Sequence, residues 1–91
     1  MERDKIDVAL SSLVEQLAAL EHERWSHWQR YLHSRGQRQP DGSLLLSAEL
    51  VERWERQIAT PYQDLSATEK DSDREQVRRY LALISSALER C

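Results

Sequence analysis

His22-Glu23-Arg24-Trp25-Ser26-His27-Trp28-Gln29-Arg30-Tyr31-Leu32 holds two of the chain's three tryptophans and two of its three histidines. Read as helix, it places Trp25, Trp28 and Leu32 at i, i+3 and i+7, the spacing that gathers side chains on one face. A buried indole contributes roughly 2–3 kcal/mol, so this stretch is expected to anchor the core. The same apolar period runs upstream through Ile6, Leu10, Leu13, Leu17 and Leu20, flanked by Val14 and Ala18. Together these positions predict one long helix near residues 5–35, capped by Asp4 or Asp7 and closed by Gly36 in a left-handed conformation. Its length would be roughly 45 Å.

Downstream of it, residues 36–43 are the Gly/Pro-rich stretch, and Pro40-Asp41-Gly42 is a turn signature because proline presets φ and glycine accepts a positive φ. Ser47 is a suitable N-cap for a short second helix at 48–59, whose apolar positions are Leu50 or Val51, Trp54 and Ile58 and which Thr60-Pro61 terminates. Ser66-Ala67-Thr68-Glu69 reads as a capping box that opens a third helix at 67–90, with Val77, Leu81, Ile84 and Leu88 on its apolar face and Tyr80 beside them. The expectation is an all-α, single domain over residues 1–91: a small three-helix domain with a long helix 1, a short helix 2 and a long helix 3. A three-turn helix 2 cannot cover a 45 Å helix 1, so part of Ile6, Leu10, Leu13, Val14 and Leu17 is expected to pack in a homo-oligomer formed through helix 1. The competing arrangement has helix 3 double back along helix 1.

Charge and composition exclude several classes. Thirteen basic against sixteen acidic side chains give a net charge of −3, unlike the strongly basic surface of a general nucleic-acid coat. No run of about 18 apolar residues occurs, so membrane spanning is not expected. The single cysteine, Cys91, excludes a disulfide framework, and a cytoplasmic location is the expectation.

The chemistry-bearing residues point away from catalysis. His22 and His27 are five apart, about 140° around a helix, whereas a zinc-protease pair needs a spacing of four. Glu23 with His27 and His22 with Ser26 stand at i, i+4, but no activated nucleophile or Gly-rich phosphate loop accompanies them, so the chain reads as no enzyme, with no metal and no cofactor. Arg24, Arg30, Arg35 and Arg38, interleaved with Trp25, Trp28 and Tyr31, supply what a nucleotide-like ligand needs: guanidinium groups for phosphate and flat faces for a base. Residues 64–76 are predominantly acidic, and salt bridging to this basic stretch, intramolecular or intersubunit, is expected.

Two blocks resemble prokaryotic and phage relatives of the ryanodine-receptor repeat (RyR) domain. The first is His22-Glu23-Arg24-Trp25, similar to that family's His-Glu-x-Trp. The second is Pro61-Tyr62-Gln63-Asp64-Leu65 through Glu69-Lys70 to Asp73-Arg74, similar to its Pro-Tyr-x-x-Leu-x-x-x-Glu-Lys-x-x-Asp-Arg. Between them, the family's Gly-Trp-x-Tyr-Gly is replaced by Arg35-Gly36-Gln37-Arg38. The resemblance implies a non-enzymatic helical module that binds nucleotide-derived ligands, with Trp25, Tyr62, Lys70, Asp73 and Arg74 as pocket residues beside Arg24, Trp28 and Arg30. It also implies a phage-encoded sponge for a host defence signal, acting in the bacterial cytoplasm. The rival expectation is a protein–protein adaptor, with a host protein as partner and an exposed apolar patch along Ile6–Leu20.

Overall fold

The computed structural model describes residues 2–90; Cys91, on which the disulfide reading rested, lies outside the described residues. The chain is mostly helical: α1 (Arg3–Ser11), α2 (Val14–Arg35), α3 (Ala48–Ala59) and α4 (Ala67–Glu89). A single 3-10 turn, Tyr62–Asp64, joins α3 to α4. Two short strands, β1 (Gln37–Arg38) and β2 (Leu44–Leu45), pair antiparallel with Gln37 opposite Leu45 and Arg38 opposite Leu44.

The three-helix, strictly all-α expectation is therefore corrected twice. The predicted helix at 5–35 is two helices, broken at Ser12-Leu13. Ser12 Oγ donates to the Ala9 carbonyl at 2.6 Å, and Leu13 N–H bonds back to Leu10 rather than Ala9. A serine hydroxyl that competes for a helical carbonyl bends the helix, and a three-residue bond tightens the turn. The bend delivers Leu13 into the interior, where it is 0% exposed. Expected caps at Asp4 or Asp7 are not used: Glu2 is the N-cap and makes no side-chain cap bond.

The second correction is the hairpin. Gly42 has φ +90°, and Asp41 Oδ1 accepts from the Ser43 amide at 3.0 Å and its hydroxyl at 2.6 Å, so the Pro-Asp-Gly turn forms as predicted. These bonds hold the Asp41 carboxyl below its usual range, the Ser43 hydroxyl contributing most. Gly36 is extended (φ −85°), not left-handed. Glycine serves there through close approach: a Cβ would stand 3.3 Å from Leu44 Cβ.

Local signals hold for the other two helices. Ser47 Oγ accepts from the Leu50 amide at 3.1 Å, and α3 spans Ala48–Ala59. Ser66 and Glu69 form the capping box: the Glu69 amide donates to Ser66 Oγ and the Ser66 amide to Glu69 Oε1, both at 3.2 Å. Glu69 does more than cap, because its other oxygen accepts from Gln57 Nε2 at 2.6 Å and so ties α4 to α3. Ser66→Ala should cost about 1 kcal/mol in chemical denaturation. Glu69→Ala should be non-additive with Ser66→Ala yet exceed it, since it also cuts the link to Gln57.

α4 runs antiparallel to α1 and α2 and packs on both, which is the doubling-back arrangement. The buried side chains are Ala9, Leu13, Leu20, Leu50 and Ala87. Alanines on both sides of the α1–α4 seam let the helices approach closely, and this aliphatic seam is the core. The tryptophan stretch is not: Trp25 is 55% exposed and Trp28 50%. Leu10 and Val14 remain exposed, so part of the N-terminal stripe stays uncovered. The result is a slab of 56 × 34 × 16 Å with a radius of gyration of 18.3 Å. A compact chain of this length would have about 12 Å. Among the described residues no helix is long and apolar enough to cross a membrane.

Candidate functional site

α2, α3 and α4 diverge enough to leave a cleft of about 320 Å³ between them. From α2, Arg24, His27, Trp28 and Tyr31 line it, four residues that the helical period sets along one flank. α3 contributes Arg53, Trp54 and Gln57, and α4 contributes Asp73 and Gln76. The Trp28 and Tyr31 rings lie 5.3 Å apart, tilted by 40°. On the other side of the same gap, Trp28, Trp54 and Asp73 join Leu32, Ile58 and Leu65 around an apolar groove of about 470 Å³.

Charged bonds across α2 and α4 hold one wall in place. Arg24 pairs with Glu21 Oε1, its Nε donating at 3.0 Å, while the Tyr80 hydroxyl donates to Glu21 Oε2 at 2.5 Å. The guanidinium first and the phenol second hold the Glu21 carboxyl down to about 2, and the same contact pushes Arg24 up. Tyr80 is pushed up because its hydroxyl bonds a carboxylate. Glu21 thus binds protons less readily folded than unfolded. Its stabilising effect should be complete above about pH 4.5 and disappear as pH falls through about 2. In acid titrations followed by circular dichroism, Glu21→Gln should flatten that part of the unfolding curve. A second tie, Arg79 to Glu23 at 2.5 Å, lies beside it.

The polarity of these ties corrects the intramolecular form of the salt-bridging expectation. Acidic groups on α2 meet Arg79 and Tyr80 of α4, and among the described ion pairs none joins the basic stretch 21–39 to the acidic stretch 64–76. Glu23 is taken by Arg79, so the Glu23–His27 pairing is absent as well. With Arg24 committed to Glu21, Arg53 is the cleft's unpaired guanidinium among the described residues. Asp73 makes no ion pair or hydrogen bond there either, and Gln76 Oε1 is buried with no donor.

The predicted site residues fall into separate groups. Arg24, Trp28 and Asp73 meet in the cleft. Tyr62, Lys70 and Arg74 meet elsewhere: Lys70 Nζ lies 5.8 Å from the Tyr62 ring centroid, and Arg74 pairs with Asp71 at 2.9 Å. Tyr62 and Arg74 share a shallow groove with Asp73, Val77 and Leu81, so Asp73 borders both places. Trp25 stacks on His22 with centroids 6.1 Å apart, and neither it nor Arg30 lines the cleft. Sequence reading missed Arg53, Gln57 and Gln76 and took Trp54 for core alone. The available signal was the i, i+1, i+4 placement of Arg53, Trp54 and Gln57 on α3.

Among the described residues no three His, Cys, Asp or Glu side chains gather as a metal-holding group. No protein-family model, curated protein or solved structure matches the chain, so the likeness to the RyR domain rests on the two sequence blocks.

Proposed function

We propose that the protein is a non-enzymatic helical module that binds a small planar anion of nucleotide type in the cleft between α2, α3 and α4. The observation that carries this reading is the lining of one cleft by two indoles, the half-exposed Trp28 and the more covered Trp54, with an unpaired guanidinium, Arg53. Indole faces stack on a base with little dependence on its sequence identity, and a free guanidinium takes a phosphate bidentately. Gln76 Oε1 supplies the remaining polarity: a buried acceptor without a donor suits a base with an exocyclic amino group. The resemblance to the RyR domain supports the same ligand class, and with it a role in sequestering a signalling nucleotide in a phage-infected bacterial cytoplasm.

A second feature belongs to this reading, the homo-oligomer. The chain exposes 7385 Å², whereas a compact chain of 10.7 kDa exposes about 5,500 Å². A protein-binding adaptor for a host protein would use the same surplus surface, but nothing in the charge pattern favours a foreign partner over a second copy.

The test is a thermal-shift panel of linear and cyclic mono- and dinucleotides. A ligand at 100 times its dissociation constant should add about 2.7 kcal/mol and raise the midpoint by roughly 10–20 °C for a chain of this size. A flat panel removes the nucleotide reading.

A further inference from the structure

We infer that a second copy of this chain packs against the apolar face of α3 and closes the Leu32–Ile58–Leu65 side of the cleft. The inference rests on the self-association proposed above and adds where the mate sits. α3 is the chain's most clearly two-sided helix, with Leu50, Val51, Trp54 and Ile58 on one face, yet only Leu50 is buried. Ile58 is 84% exposed, more than any other large apolar side chain described, and it borders the apolar groove shared with Trp28 and Trp54. An aliphatic side chain at the rim of an apolar groove is exposed hydrophobic surface of the kind that marks an interface.

The areas agree. The surface excess over a compact chain is about 1,900 Å², and a specific interface takes about 800 Å² from each partner. One additional copy therefore accounts for roughly two-fifths of the excess. The charges agree as well. Glu49, Glu52, Arg53 and Arg56 lie on the opposite side of α3 by helical spacing, with Glu55 at the border, so its apolar face carries no charge of its own to repel a second copy across a two-fold axis. In the N-terminal half α4 already covers Ala9 and Leu13, and the exposed Val8, Leu10 and Val14 line neither side of the cleft, so a mate seated there would not close it. With a mate over α3, Trp28 and Trp54 lose their solvent on one side while the Arg53 side stays open to a ligand.

Sedimentation equilibrium under reducing conditions tests the placement, at about 50 μM, where a dimer with a Kd of ~1 μM is largely assembled. The expected result is a dimer mass for the wild type and for Val14→Glu, and half that mass for Ile58→Glu. Position 58 is exposed and glutamate is a good helix former, so helicity by circular dichroism should be unchanged; Ile58→Ser, carrying no charge, should shift the equilibrium the same way. A wild-type monomer overturns the self-association and this placement together. A dimer that survives Ile58→Glu, or one that Val14→Glu also breaks, overturns the placement alone and leaves the oligomer standing.

Discussion

Leu13→Ala should be the most damaging single truncation in the chain, costing about 3–5 kcal/mol. Leu13 is the one large side chain described as fully buried, and it sits at the bend where α1 turns into α2 against α4. Removing its isobutyl group leaves a cavity that the bend, fixed by the Ser12 bond to Ala9, cannot collapse into. Native stability of roughly 0.05–0.15 kcal/mol per residue gives a chain of this size about 5–14 kcal/mol, and a core with so few buried residues belongs at the low end. The thermal midpoint should therefore fall by about 15–30 °C, measured at one protein concentration because assembly makes it concentration-dependent. Val14→Ala, one residue on but 60% exposed, should shift it by a small fraction of that. Equal shifts for the two variants would mean that α4 does not dock on the α1–α2 bend.

The contrast between Leu13 and the tryptophans shows what was legible in the sequence. Signals carried by neighbours in the chain read correctly: the Ser47 cap, the Ser66–Glu69 box, the Pro40-Asp41-Gly42 turn and the bounds of α3. Each is a bond or a backbone preference closed within a few residues. The break at Ser12 was hidden because the apolar period passes through it without interruption. What bends the helix is one hydroxyl choosing a carbonyl, a choice that periodicity does not record.

Burial was less legible still. Period assigns Trp25, Trp28 and Leu13 to an apolar face, but only the partner helix decides which side of that face is covered. α4 brings small residues to the Ala9–Leu13 seam, leaving Trp28 beside α3 and Trp25 stacked on His22 at the surface. The site shared this fate. Arg24, Trp28 and Asp73 converge from α2 and α4, whereas Arg53, Trp54 and Gln57 enter from a third helix whose position depends on the Gln57–Glu69 bond. Glu69 was recognisable as a capping residue, but its second bond is tertiary and left no local trace.

The second large effect is expected at the cleft. Trp54→Ala removes one of two stacking faces, worth about 1–3 kcal/mol per base, or roughly 5- to 150-fold in affinity. Arg53→Glu should cost at least as much, because it replaces the unpaired guanidinium with a charge that repels phosphate. Arg24→Gln should have a mixed phenotype, since that side chain also holds Glu21 in place between α2 and α4. Lys70→Gln and Arg30→Glu should leave affinity nearly unchanged: Lys70 sits over Tyr62 outside the cleft, and Arg30 does not line it.

A tryptophan-fluorescence titration with the nucleotide that gives the largest thermal shift, run on the wild type, Arg53→Glu and Arg30→Glu, addresses the α2–α3–α4 cleft most directly. Binding there stacks a base on Trp28 and Trp54, so the wild type should show saturable quenching, Arg30→Glu should reproduce it, and Arg53→Glu should need at least tenfold more nucleotide. Quenching that survives Arg53→Glu but disappears with Arg30→Glu would contradict a ligand site in this cleft.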